Sequence, residues 1–116
     1  MTSSANDDKY WQAMQALLAE AQVIVDRPRG RAHPRYPELV YPLDYGYLEN
    51  TTAGDGDGID VWIGIPGSRK LTGILCTFDT VKRDAEVKLL AGCSAQDVAT
   101  ILHFNDSLYT LYIPKP

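Results

Sequence analysis

Asp55, Asp57 and Asp60 fall within six residues of one another in the stretch AGDGDGIDVWIG, spaced by glycines and followed at once by an apolar run. Carboxylates gathered this closely repel: at about 4 Å and an effective dielectric of about 20, each ionised pair costs roughly 4 kcal/mol. A fold that brings them together needs shared protons or a hard cation, and Mg²⁺ suits an all-oxygen donor set. Gly54, Gly56 and Gly58 let the chain turn sharply between the acids. Asp60 opens the β-type run Asp60 to Ile65, so its carboxylate is expected on a rigid element. Asp and Gly are also the commonest turn residues, and a solvated turn accounts for the composition equally well. A calcium loop of the helix–loop–helix kind needs an oxygen ligand where Ile59 stands and a glycine where Asp60 stands, and it fails at both.

The net charge of −4 hides a segregation. From Asp26 to Tyr36 the chain carries four arginines (Arg27, Arg29, Arg31 and Arg35) and His33 against one acid. From Asp44 to Asp60 it carries five acids and no base. A basic block followed by an acidic block suits an anionic ligand bridged by metal. It suits nucleic acid less, because the acidic half repels a phosphate backbone. Either block also reads as a solvated face. At 116 residues, with 45% hydrophobic and 22% charged residues, residues 1–116 are expected to form one globular domain. There is no long apolar run and no basic stretch leading into an apolar one, so neither membrane span nor leader is expected, and the cytoplasm is the default. Cys76 and Cys93 lack C-x-x-C spacing and histidine companions, which reads as buried, reduced thiols.

Around these residues the periodicity places the elements. Residues 1–8 are polar and expected to be disordered. Lys9 to Ala21 forms an amphipathic stripe with Asp7 or Asp8 as its N-cap. Gln22 to Asp26 turns β-branched and reads as a strand, Arg27 to Pro37 is loop by composition, and Glu38 to Tyr41 reads as a short strand. Leu71 to Asp79 and Glu86 to Ala91 flank the charged tip Thr80 to Ala85 as a hairpin. Ser94 and Asp97 have capping-box spacing, so a short helix is expected from Ala95, with His103 on its apolar face as a structural histidine; Leu108 to Ile113 reads as a last edge strand. Short strands with a helix at each end predict a small β-barrel-like α+β domain.

Three segments in order carry a resemblance. Val25-Asp26-Arg27, then Tyr41-Pro42-Leu43-Asp44-Tyr45-Gly46-Tyr47, then Asp55-Gly56-Asp57-Gly58-Ile59-Asp60-Val61 resemble the soluble family I inorganic pyrophosphatases. Those enzymes read V-D-R, Y-P-x-N-Y-G-Y/F and D-G-D-P-x-D-V, and the likeness spans about Val23 to Ala91. It implies an oligonucleotide-binding-like (OB-like) five-stranded β-barrel core with flanking helices. It also implies hydrolysis of pyrophosphate to two phosphates with several Mg²⁺ ions, Mn²⁺ being possible. By the resemblance, Asp55, Asp57 and Asp60 bind metal, and Asp57 also takes the proton of the attacking water. Arg27 holds a phosphate, Tyr41 and Tyr45 line the site, and Tyr45 donates its hydroxyl. The second acidic cluster of the family falls on Glu86-Val87-Lys88 with Asp79 as the earlier metal-binding acid; Lys88 meets substrate and Asp84 is the alternative to Glu86.

Pyrophosphate is a multiply charged anion, so attack by water needs positive charge to screen it and to stabilise the leaving phosphate. Carboxylates, Arg27, Lys88 and neutral tyrosine donors supply the parts for that chemistry. Pyrophosphate is therefore the expected small-molecule partner, with no nucleic acid or membrane, in a homo-oligomer. The chain departs from the family in Gly58 for proline and Asp44 for asparagine, and in lacking a C-terminal Tyr-Lys match. These departures keep open a weakened relative that binds metal or phosphate, or that cleaves another phosphoanhydride. A nucleic-acid-binding barrel is a further alternative, resting on the arginine loop.

Overall fold

The computed structural model describes residues 5–116. Helix α1 spans Ala5–Glu20. The strands are β1 (Val23–Arg27), β2 (Asp44–Leu48), β3 (Asp60–Ile63), β4 (Leu71–Asp79) and β5 (Asp84–Ala91). Helix α2 (Ala95–Phe104) and strand β6 (Tyr109–Pro114) complete the chain. The strands form a six-stranded mixed sheet in the order β1-β2-β3-β5-β4-β6. Every neighbouring pair is antiparallel except β3 and β5, which run parallel with Trp62 opposite Leu90.

The expected α+β architecture with a helix at each end is present, and β6 is the last edge strand expected over Leu108 to Ile113, a sixth beyond the five-stranded barrel that the resemblance implies. Three local expectations are corrected. Helix α1 starts at Ala5, not Lys9, so Asp7 and Asp8 lie inside its first turn, where carboxylates oppose the positive end of the helix dipole, and neither is the N-cap. Residues 5–8 are helical; the remainder of the segment expected to be disordered, residues 1–4, lies outside the described residues. Glu38 to Tyr41 is not a strand: Val40 makes one isolated bridge to Ala32, and the regular strand begins only at Asp44. Pro42 offers no N–H to a ladder, which delays β2 until the proline is passed.

Alternation along the strands builds two cores on opposite faces of the sheet. On one face Trp11 and Leu18 of α1 pack onto Leu48, Val61, Ile74 and Leu89. Gln15 fastens the helix there by bonding the Arg69 carbonyl and the Leu71 amide, both at 2.9 Å. On the other face Val98 and Ile101 of α2 cover Trp62, Leu75 and Leu90. Helix α2 begins as its sequence predicts, with Asp97 standing in for the usual glutamate of the capping box. The Ser94 amide donates to Asp97 at 2.9 Å, and the Asp97 amide to Ser94 Oγ at 3.1 Å. This second face carries the candidate site.

Candidate active site

Register places the site residues in rows. Arg27 pairs with Tyr45 across β1 and β2, Tyr45 with Trp62 across β2 and β3, and Trp62 with Leu90 across β3 and β5. The period of two then sets Asp60 beside Trp62, and Glu86 and Lys88 beside Leu90, on the α2 face. Gly46 makes the first pairing possible. A β-carbon there would run into the Ile24 carbonyl, where β1 bulges between Val25 and Arg27.

Lys88 is the hub. Its ammonium donates to the Tyr45 hydroxyl at 2.7 Å and to Asp60 Oδ2 at 2.8 Å, and pairs with Glu86 Oε2 at 3.2 Å. Those three partners match the three protons an ammonium carries. Burial alone would pull Lys88 down, but the Tyr45 hydroxyl and the Asp60 carboxylate outweigh it and hold Lys88 above the usual lysine range. Burial pushes the Tyr45 phenol up, so it acts as a neutral hydroxyl at every working pH. Tyr41 is also raised by burial, with the nearby Arg27 guanidinium pulling the other way.

The three loop aspartates do not converge. Asp60 is committed to Lys88. Asp55 accepts the Asp57 amide at 3.0 Å, forming a self-contained turn, and its carboxyl meets Glu86 across the loop. That contact and burial raise Glu86 above the usual glutamate range, while Glu86 and the Asp57 amide hold Asp55 below its own. Asp57 sits exposed on the turn. Gly58 stands where the resembled family has proline because space requires it: a β-carbon there would lie 2.8 Å from the Tyr47 ring and 3.0 Å from the Leu48 carbonyl.

Thr51, which reads only as a turn residue in the sequence, ties off this loop. Its hydroxyl donates to the Leu48 carbonyl at 2.7 Å and accepts the Ile59 amide at 2.9 Å. Nothing in the pattern singles it out, because the partner lies across a loop whose geometry is not local.

A cleft of about 500 Å³ opens over these residues. One wall is acidic, with Asp55, Asp79, Asp84 and Glu86, alongside Lys82 and Lys88. Asp79 and Asp84 are cross-strand partners at the end of the hairpin, and Asp84 and Glu86, the two acids weighed against each other in the sequence, both reach the cleft together with Asp79. The Lys82 and Val81 amides donate to Asp79 and lower its carboxyl. Aromatic rings also line the cleft, with Tyr41, Tyr45, Trp62 and Phe104 packed at ring separations of 4.5 to 6.0 Å. His33 stacks on Tyr41 at 6.1 Å with rings within 7° of parallel and lines the cleft. His103 is exposed in the last turn of α2, off the apolar face expected for it. Arg27, Asp57 and Asp60 lie outside the cleft lining.

Among the described residues no three His, Cys, Asp or Glu side chains stand in a group able to hold a metal ion. The donor chemistry suits a hard cation at one place. Asp55 and Glu86 interact with each other on the cleft lining, and a divalent ion can bridge such a pair using oxygen donors alone.

No family model matches the chain, and no curated protein does. Among solved structures the fold is similar to that of an inorganic phosphatase from Anaplasma phagocytophilum, with a TM-score of 0.53 and 18% identity, covering 79% of this chain and 81% of that one. It is also similar to an inorganic pyrophosphatase from Coxiella burnetii, with a TM-score of 0.50 and 18% identity, covering 82% and 76% respectively. At this identity the likeness establishes a shared OB-like α+β fold. Among the described residues no helix is long and apolar enough to cross a membrane.

Proposed function

We propose that the chain hydrolyses inorganic pyrophosphate or a closely related phosphoanhydride to two phosphate products, with Mg²⁺ as cofactor. The observation that carries this reading is the meeting of Asp55 and Glu86 beside the buried Lys88 ammonium in one cleft. The fold shared with an inorganic pyrophosphatase supports it. Asp55 and Glu86 would hold the ion, with Asp57, Asp60 and Asp79 as further candidate ligands. Bound there, Mg²⁺ supplies charge that screens the anion and acidifies a water.

The chain's own residues divide the remaining work. Lys88 stays charged and fixes Asp60, Glu86 and the Tyr45 hydroxyl in one orientation, which preorganises the polar floor. Tyr45 and Tyr41 offer neutral donors that do not compete for a cation. Asp57, exposed on its turn at the edge of the cleft's acidic loop, would take the proton of an attacking water, and Arg27 would steady a phosphate from the Tyr41 side.

Phosphate release from pyrophosphate with Mg²⁺, compared with EDTA and with Asp57→Asn, tests the reading. Metal-dependent release that Asp57→Asn abolishes is the expected result. A second reading rests on a specific observation: all three protons of Lys88 are engaged within the protein, which leaves fewer cations for a second phosphate. Under it the chain binds Mg²⁺ and phosphate without turnover. Calorimetric Mg²⁺ binding with no phosphate release would select it.

A further inference from the structure

Half of the cleft has no task in the chemistry of a small inorganic anion. Its volume of about 500 Å³ lies inside the roughly 300–1,000 Å³ range of sites that hold ligands of drug size. The aromatic lining is not fully consumed by the core. Tyr36 is 51% exposed at the mouth, 5.1 Å from the His33 ring, and Leu39 beside it is also exposed. Phe104 and Leu108, which also line the cleft, are only half-buried.

Polar groups border these rings. Asn105 and Ser107, on the turn from α2 to β6, line the same end of the cleft. The His33 Nδ1 accepts the Arg35 amide at 3.0 Å, which leaves the ring's proton on Nε2 as a donor. Trp62 is 1% exposed, borders the cleft, and its indole N–H has no partner. A buried donor without an acceptor is rare and costly. Inorganic pyrophosphate has no apolar face to lay on such rings, and a planar heterocycle has both a face and acceptors along its edge.

We propose that the cleft takes a diphosphate that carries a planar organic ring, of the nucleoside diphosphate class. The ring lies against Tyr36, His33 and Phe104, and the diphosphate lies toward Glu86 and Lys88. The reaction rests on the hydrolase reading above. A water oxygen bonds to the terminal phosphorus, the bond from that phosphorus to the bridging oxygen breaks, and that oxygen leaves on the nucleoside monophosphate. One proton from water is released, and nothing is oxidised or reduced.

The test compares ADP with pyrophosphate as substrates in Mg²⁺, and AMP with inorganic phosphate as calorimetric ligands, in the native chain and in Tyr36→Ala. The expected result is a higher kcat/KM for ADP than for pyrophosphate. In Tyr36→Ala that ratio falls by about five- to a hundredfold, the range of one base–aromatic stack. AMP should bind more tightly than phosphate, and Tyr36→Ala should erase the difference. Cleavage of pyrophosphate with ADP ignored, and AMP binding no tighter than phosphate, overturns the ring site and leaves the hydrolase standing. If neither substrate is cleaved but AMP binds more tightly through Tyr36, the hydrolase reading fails and the ring site stands.

Discussion

Asp57 and Asp60 are three residues apart and occupy opposite environments. Asp60 stands on β3, paired with a buried lysine at 2.8 Å. Asp57 stands on a turn of the loop, exposed, and its own side chain holds nothing in place. The contrast separates two residues that the sequence presents as one cluster. Asp60, on a paired strand, braces the buried lysine, and Asp57, on the loop, leaves its side chain exposed.

Breaking the strand side should have the largest effect. Lys88→Met strips Asp60 and Glu86 of their common partner and should destabilise the fold by about 3 kcal/mol, read as a lower urea midpoint at unchanged slope. Adding Asp60→Asn to that variant should recover part of the loss, because the uncompensated charge is then removed. Thr51→Val cuts both bonds at the neck of the loop and should cost about 1 kcal/mol. Hydrogen exchange faster at Ile59 than across β4 would place that loss in the loop, and uniform acceleration would place it in the sheet as a whole.

Asp57→Asn should change stability by less than about 0.5 kcal/mol while abolishing Mg²⁺-dependent phosphate release. A large loss of stability there would mean that the loop braces the fold after all.

The smallest effect concerns Cys93, whose thiol lies against the Trp62 and Ala91 carbonyls behind the strand side of the site. Burial, then the nearby Asp97, pushes this thiol up to about 11. A folded value above the unfolded one means that its contribution to stability is complete below about pH 8.5 and fades as pH climbs toward 11. Iodoacetamide labelling of Cys93 at pH 8, followed by peptide mass spectrometry, should run roughly a hundredfold slower in the folded chain than in urea.

The strand-borne half of the fold is legible from local pattern, and the site only in part. Leu71 to Asp79 alternates well enough to fix β4 to the residue, and the Ser94–Asp97 spacing fixes the start of α2. The Lys88 hub is not legible as geometry, since Tyr45 and Asp60 lie 43 and 28 residues away in sequence and meet it only through the parallel pairing of β3 with β5. The spacing of Asp55, Asp57 and Asp60 reads as convergence, but Asp60 on a strand and Asp57 on a turn point to different partners. The stacking of His33 on Tyr41 depends on the path of a proline-rich loop that no periodicity describes. Gly58 reads as a floppy substitute for proline, and the reason for it is the ring of Tyr47, a contact visible only in three dimensions.

Thr51 gives the scaffold an unusual freedom. By fastening the chain where it leaves β2 and where it returns toward β3, it closes residues 53–57 into a loop held at its neck, with Gly58 fixed beside it by the Tyr47 ring. The entropy of closing a loop grows only slowly with its length, so longer or differently charged inserts can be exchanged at this neck. A new ligand preference can therefore be written into the five residues 53–57 while the framework that receives them is left as it is.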